Sequence, residues 1–200
     1  GVERFIGIGQ LAPDLLAWLW PQRRALGEDA LTLARQAWAA YTAAEPQVWA
    51  ALAGRQHRPL PLLGRALARQ LQELPGASDG LSLTERLLLR VLASHGELPA
   101  GRVFTQLMQQ DEPLPYLGDM MFHALLQPLL HTPHPLLREG PGDAWAHRPL
   151  RLTALAEQVL AGQRHWLDQH PAQRWVGGVC IDAADKPWVV SEQGEVWRRQ

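Results

Sequence analysis

One cysteine, Cys180, is all the thiol this 200-residue sequence holds, so no disulfide can form within the chain. Extracellular proteins of this size usually carry several, and the cytoplasm is the expected compartment. No apolar run approaches the roughly eighteen residues that a membrane-crossing helix needs, and the N-terminus lacks the basic stretch and apolar core of a secretory signal. No membrane partner is expected. An excess of one charge is missing too: residues 1–80 hold 8 basic and 7 acidic side chains, residues 81–175 hold 8 and 9, and residues 176–200 hold 3 and 4. A nucleic-acid binder concentrates Lys and Arg to displace counterions from phosphates, so nucleic acid is a possible but disfavoured partner. The sequence has no fixed-period repeat, which argues against a solenoid.

What is present supports a folded chain. Apolar side chains make up 46% and charged ones 20%, away from the disordered range. A chain of this length buries roughly 70% of its unfolded surface without help from metals or disulfides. The first residues are Gly1-Val2 and not Met, which reads as a trimmed chain or a piece of a longer protein.

Residues 1–80 read as helices punctuated by Pro and Gly. Asp14 is placed to cap a short helix that Pro21 ends, a longer helix runs from Glu28 to Tyr41, and Pro46 suits the first turn of the next. Leu63, Leu67, Leu71 and Leu74 then fall on one helical face, and Pro75 to Gly80 reads as a short tether. Residues 81–170 follow a different order. Ser82-Leu83-Thr84-Glu85 is a capping box, and Leu83, Leu87, Leu88, Val91 and Leu92 form the face behind it. A second helix around Pro99 to Gln110 buries Val103, Phe104, Leu107 and Met108. A third, capped by Asp119, buries Met121, Phe122, Leu125 and Leu126 until Pro128 kinks or ends it. Leu136 to Glu139 and Ala144 to Leu152 flank a Gly-Pro-Gly-Asp turn as a hairpin, and Thr153 caps a closing helix to Ala161.

Three helices, a hairpin and a closing helix describe a winged variant of the helix-turn-helix. From Arg174 onward, β-branched residues, Gly177-Gly178 and Trp175, Trp188 and Trp197 predict a C-terminal antiparallel β-hairpin. The expected fold is therefore mainly α. It comprises a helical N-terminal half (1–80), a winged-helix-like unit (81–170) and a C-terminal β-hairpin packed on the body (171–200).

Five strings resemble an uncharacterised bacterial family catalogued only as a domain of unknown function. They are Gly80-Leu81-Ser82 with Thr84-Glu85-Arg86, Tyr116-Leu117-Gly118-Asp119, Pro149-Leu150-Arg151-Leu152-Thr153, Val159-Leu160-Ala161-Gly162 and Arg174-Trp175-Val176-Gly177-Gly178-Val179. Met121-Phe122-His123, Pro128 and Ala156 depart from the pattern, the last standing where Gly is common. The resemblance covers residues 80–180 and implies that a further N-terminal region precedes this C-terminal portion. It supplies no activity.

Four patterns invite chemistry, and each has a plainer reading. Gly76-Ala77-Ser78-Asp79-Gly80 matches a nucleophile elbow, but a helix precedes it where that motif needs a strand, so a linker is favoured. Gly7-Ile8-Gly9-Gln10-Leu11-Ala12 with Phe5 to Ile8 as a strand matches a dinucleotide fingerprint. Glu28, at the acidic position, opens a helix instead of ending a second strand. Seven of the eight histidines follow residue 80, yet His131-x-x-His134 is the only tight pair and no ligand framework surrounds it, so neither metal nor cofactor is expected. Cys180 reads as an inert thiol and the tryptophans as packing material.

These readings favour a non-enzymatic regulatory or protein-interaction module that docks a protein partner or another domain of its parent chain. Two rivals are a winged-helix nucleic-acid binder and the non-catalytic part of an enzyme whose active site lies upstream. Residues 115–131 carry no Lys or Arg, and only His123 and Gln127 could reach base edges. The candidate surfaces are Met120, Met121 and Phe122 on the third helix, expected to dock on the N-terminal half, and Arg138, Arg148 and Arg151 on the wing.

Overall fold

The computed structural model of the chain describes residues 8–114 and 116–200. About 49% of the chain is helix and 12% strand, an α-rich fold with small antiparallel sheets. Four helices come first: α1 (Pro13–Leu19), α2 (Glu28–Tyr41), α3 (Gln47–Ala53) and α4 (Leu63–Leu71). Then follow α5 (Leu83–His95), β1 (Leu98–Pro99), α6 (Ala100–Gln106), a π-helical turn at Leu107–Asp111, and α7 (Asp119–Leu130). The chain continues with β2 (Leu137–Glu139), β3 (Pro149–Leu152), α8 (Ala154–Leu160), β4 (Arg174–Val176), β5 (Val179–Ile181), β6 (Trp188–Val190) and β7 (Val196–Arg198). Among the described residues no helix is long and apolar enough to cross a membrane.

Local chemistry accounts for several of these boundaries. The Ser82 hydroxyl accepts from the Glu85 N–H at 3.2 Å and the Glu85 carboxylate accepts from the Ser82 N–H at 2.7 Å, so two N–H groups orphaned at the start of α5 are satisfied. The Thr153 hydroxyl likewise accepts from the Ala156 N–H at the start of α8. Other expected caps are not made. Neither α1 nor α7 has a side-chain cap: Asp14 and Asp119 stand inside the first turn, with Ala12 and Gly118 at the cap positions. Acidic residues there still face the positive end of the helix dipole. Pro128 does not end α7, because it falls in the last turn, where one missing donor is tolerated while Leu126 and Leu129 stay buried.

β3 is the centre of a three-stranded sheet in the order β1-β3-β2, with Leu98 opposite Leu150 and Arg138 opposite Arg151. The first residues of the expected return strand, around Trp145–His147, instead form a 3-10 turn. The C-terminal segment expected as one hairpin contains two separate two-stranded antiparallel sheets, β4-β5 and β6-β7.

The buried apolar residues fall into two clusters. One gathers Leu88, Leu92, Val103, Phe122, Leu126 and Leu150 with their neighbours on α5 to α8. The other gathers Trp49, Leu67, Leu71 and Leu74 with Val179, Ile181 and Val189. Trp49 satisfies its indole N–H by donating to the Leu67 carbonyl at 3.0 Å. Trp166 and Leu167 are adjacent in sequence, yet one belongs to each cluster. Residues 75–80, read from the sequence as a tether, are a paired segment. Val190 N donates to Pro75 O and Ala77 N to Val190 O, both at 2.9 Å, which joins Gly76 to β6 by a parallel bridge. The reading of the tryptophans as packing material also needs correction, since Trp18, Trp20, Trp38, Trp175 and Trp197 are exposed while Trp49, Trp166 and Trp188 are buried.

Gly177 and Gly178 form the β4-β5 turn and press on the end of α2. Gly177 has φ +58°, the left-handed region that favours glycine, and Gly178 N donates to Tyr41 O at 2.9 Å. A Cβ on Gly178 would overlap the Thr42 carbonyl oxygen, whereas one on Gly118 would meet nothing within 4 Å. Gly178→Ala should therefore cost about 1–3 kcal/mol, the usual range for overpacking. Gly118→Ala should stay within ~0.5 kcal/mol in the same denaturant titration.

Candidate functional site

The most heavily charged buried site is centred on Arg69, which α4 carries on the face next to its buried leucines. Its Nε and NH2 donate to the two Glu112 oxygens at 2.6 Å each, NH1 donates to Glu73 Oε1 at 2.7 Å, and NH2 also reaches Thr84 Oγ1 at 2.9 Å. The Thr84 hydroxyl in turn donates to Glu73 Oε1 at 2.6 Å. Arg69, Glu73, Thr84 and Glu112 are all buried. Burial opposes the guanidinium charge, but the Glu112 and Glu73 carboxylates outweigh it and raise the Arg69 pKa above its ordinary value. The Tyr116 ring lies 5.2 Å from the guanidinium carbon, and burial together with the Glu73 charge pushes its hydroxyl up to about 12. Every Arg69 nitrogen is engaged. The cluster is a clamp between α4, α5 and the chain beyond the π-helical turn.

Sequence reasoning missed this clamp. The spacing of Arg69 and Glu73, four residues apart across the end of α4, was the available signal. Glu112 sits beside Pro113 in a stretch without periodicity, so nothing in the sequence tied it to residue 69.

The surface formed by α7 and the β1-β3-β2 sheet holds the residues singled out from the sequence. Phe122 is 0% exposed and packs on Phe104 and Trp145, while Met120 and Met121 are 64% and 61% exposed. The expected docking of the two methionines on the N-terminal helices does not occur, and Met121 leaves the core face to Leu129. Three consecutive helical residues span most of a turn, so only one of them faces inward. His123 stacks on Trp145 with ring centroids 5.0 Å apart, and Gln127 Nε2 donates to the His123 carbonyl at 3.1 Å.

Arg138 and Arg151 are exposed cross-strand partners without a hydrogen bond or ion pair among the described residues. Like charges directly opposite each other destabilise a sheet. Arg148 is occupied differently: it donates to Gly142 O at 3.1 Å and to Glu139 Oε2 at 3.0 Å, bracing the turn between β2 and β3.

The remaining sequence motifs do not assemble into chemistry. Ser78 is exposed in the turn between α4 and α5, while neighbouring Asp79 is buried against Arg86. Of the dinucleotide-like pattern, Phe5 and Gly7 lie outside the described residues, and Ile8–Gln10 is a single 3-10 turn. His131 and His134 are both exposed. Among the described residues no three His, Cys, Asp or Glu side chains converge as metal ligands. Cys180 is half-buried on β5 and accepts from Gln173 Nε2 at 2.8 Å. Comparison with protein-family models, characterised proteins and solved structures finds no match to this chain.

His165 packs against Gly80 at the bridge between the two apolar clusters, and both of its ring nitrogens are buried without a hydrogen-bond partner among the described residues. Burial and then the Arg199 charge hold its pKa below the ordinary 6.5. A histidine lowered in this way binds its proton more readily in the unfolded chain. Its contribution to stability is complete above pH 6.5 and is lost as pH falls from there toward the folded-state value. Asp168, held below its ordinary 3.8 first by its hydrogen bond from Arg199, acts in a separate and more acidic window. The denaturation midpoint should drop as pH is lowered below about 6.5, and His165→Gln should flatten that segment of the curve. An unchanged slope in the variant would assign the effect elsewhere.

Proposed function

We propose that this chain is a non-enzymatic, cytoplasmic interaction module built on a winged-helix-like unit over residues 81–170, and that it docks an acidic protein partner or an acidic domain of its parent chain. The order α5, β1, α6, α7, β2, β3 and the sheet order β1-β3-β2 support the winged-helix reading. The observation that carries the function is the state of α7, the helix that would read bases in a nucleic-acid binder. It carries no Lys or Arg, shows Met120 and Met121 to solvent, and has turned its only base-reading candidates, His123 and Gln127, onto each other and Trp145. Exposed methionines make an adaptable apolar contact. Arg138 and Arg151 add uncompensated positive charge on the sheet of the same unit.

The nucleic-acid reading keeps one supporting feature, that same arginine pair, which could hold phosphates. The two readings differ in outcome. A photo-crosslinking residue at position 121, introduced in cells of the source organism, should trap one protein species that the same residue at exposed Gln158 on α8 does not. Met121→Asp should abolish capture at a crosslinker placed at Met120 while shifting unfolding by no more than ~0.5 kcal/mol, because the side chain is exposed. Submicromolar, steeply salt-dependent binding to random duplex DNA, lost on Arg138→Ala, would reverse the ranking.

A further inference from the structure

A cleft of about 420 Å³ opens between α5, residues 76–81 and the turn that follows β6. Small-ligand sites commonly enclose ~300–1,000 Å³. One wall is basic. Arg86 and Arg90 stand one turn apart on α5 and both line the cleft. Asp79 holds one edge of the Arg86 guanidinium, accepting from Nε at 2.6 Å and from NH2 at 2.8 Å, and this fixes the plane of the group. The third nitrogen, NH1, has no hydrogen-bond partner among the described residues. Arg90 is exposed and has no hydrogen bond or ion pair among them. Asp79 offsets the Arg86 charge, and the Glu192 carboxylate acts on it as well, so the exposed Arg90 carries the unpaired positive charge of this wall among the described residues.

The facing wall is acidic. Glu192 lines the same cleft from the turn after β6, exposed and without an ion pair among the described residues. The walls do not close on each other, because the paired backbone of Pro75, Ala77 and Val190 holds the turn in place. Between the walls lie the half-buried Ala77 and the exposed Ser78, which adds a hydroxyl.

A simple anion would satisfy Arg86 and Arg90 but meet Glu192. A simple cation would satisfy Glu192 but meet the arginines. A molecule carrying both charges suits both walls. We propose that the cleft binds a small zwitterion, an amino acid or short peptide, with its carboxylate on Arg86 NH1 and Arg90 and its ammonium group on Glu192.

Calorimetric titration of the full chain tests this with four probes: L-alanine, L-alanyl-L-alanine, N-acetyl-L-alanine and L-alanine amide. The last two each lack one charge. At least one of the first two should bind saturably, and removing either charge should weaken binding about tenfold or more, equivalent to ~1.4 kcal/mol. Arg90→Ala and Glu192→Gln, both at exposed positions, should weaken it similarly, while Arg138→Ala on the distant sheet should not. Thermal melts would confirm that each variant keeps its fold. The proposal is overturned if neither zwitterion binds saturably, if a singly charged analogue binds as well as its parent, or if Arg90→Ala retains full affinity.

Discussion

A guanidinium keeps its charge even when buried, so it must be surrounded by acceptors or its burial destabilises the fold, and Arg69 imposes that demand on three separate segments. Glu73 answers from the turn that ends α4, Thr84 from α5, and Glu112 from beyond the π-helical turn. Apolar contacts are non-directional, whereas charge-assisted bonds of 2.6 to 2.9 Å set one geometry between α4 and the segments that answer it. The cluster therefore fixes registration more than it adds net stability: a well-packed apolar replacement of all its members could fold as well, whereas loss of one member strands the others.

Around this clamp the rest of the arrangement follows. With α4 and α5 registered, residues 75–80 run close enough to β6 to pair with it, and Asp79 meets Arg86 while its carbonyl accepts the Trp166 N–H at 2.7 Å. Trp166 then enters one apolar cluster and Leu167 the other. The cleft beside Arg86 is a product of the same registration, since its two walls belong to α5 and to the turn after β6.

How far the sequence reveals this depends on whether a signal is local. The span of α2, the capping box at Ser82 and Glu85, the Thr153 cap and the pairing of β2 with β3 all rest on neighbouring residues, and all were legible. The paired segment 75–80 was not, because small polar residues with glycine look the same in a solvated tether and in a turn that must fit against a strand. Met121 misled for a related reason: an apolar residue beside two others on a helix cannot declare which one faces inward. Arg69 and Glu112, 43 residues apart, meet only through the tertiary fold. Of the candidate surfaces, the exposed Arg138 and Arg151 could be placed on one sheet from the sequence, but the diversion of Arg148 to Glu139 could not.

Native-state hydrogen exchange on the Arg69→Met variant tests most directly whether the Arg69 clamp couples the two apolar clusters. Removing the cation leaves Glu73 and Glu112 buried without their partner, a loss of about 3–5 kcal/mol by analogy with other broken buried pairs. If the clamp couples the clusters, the most protected amides of α4 and of α5 should lose protection by the same amount. Loss confined to one side, or wild-type protection on both, would contradict it.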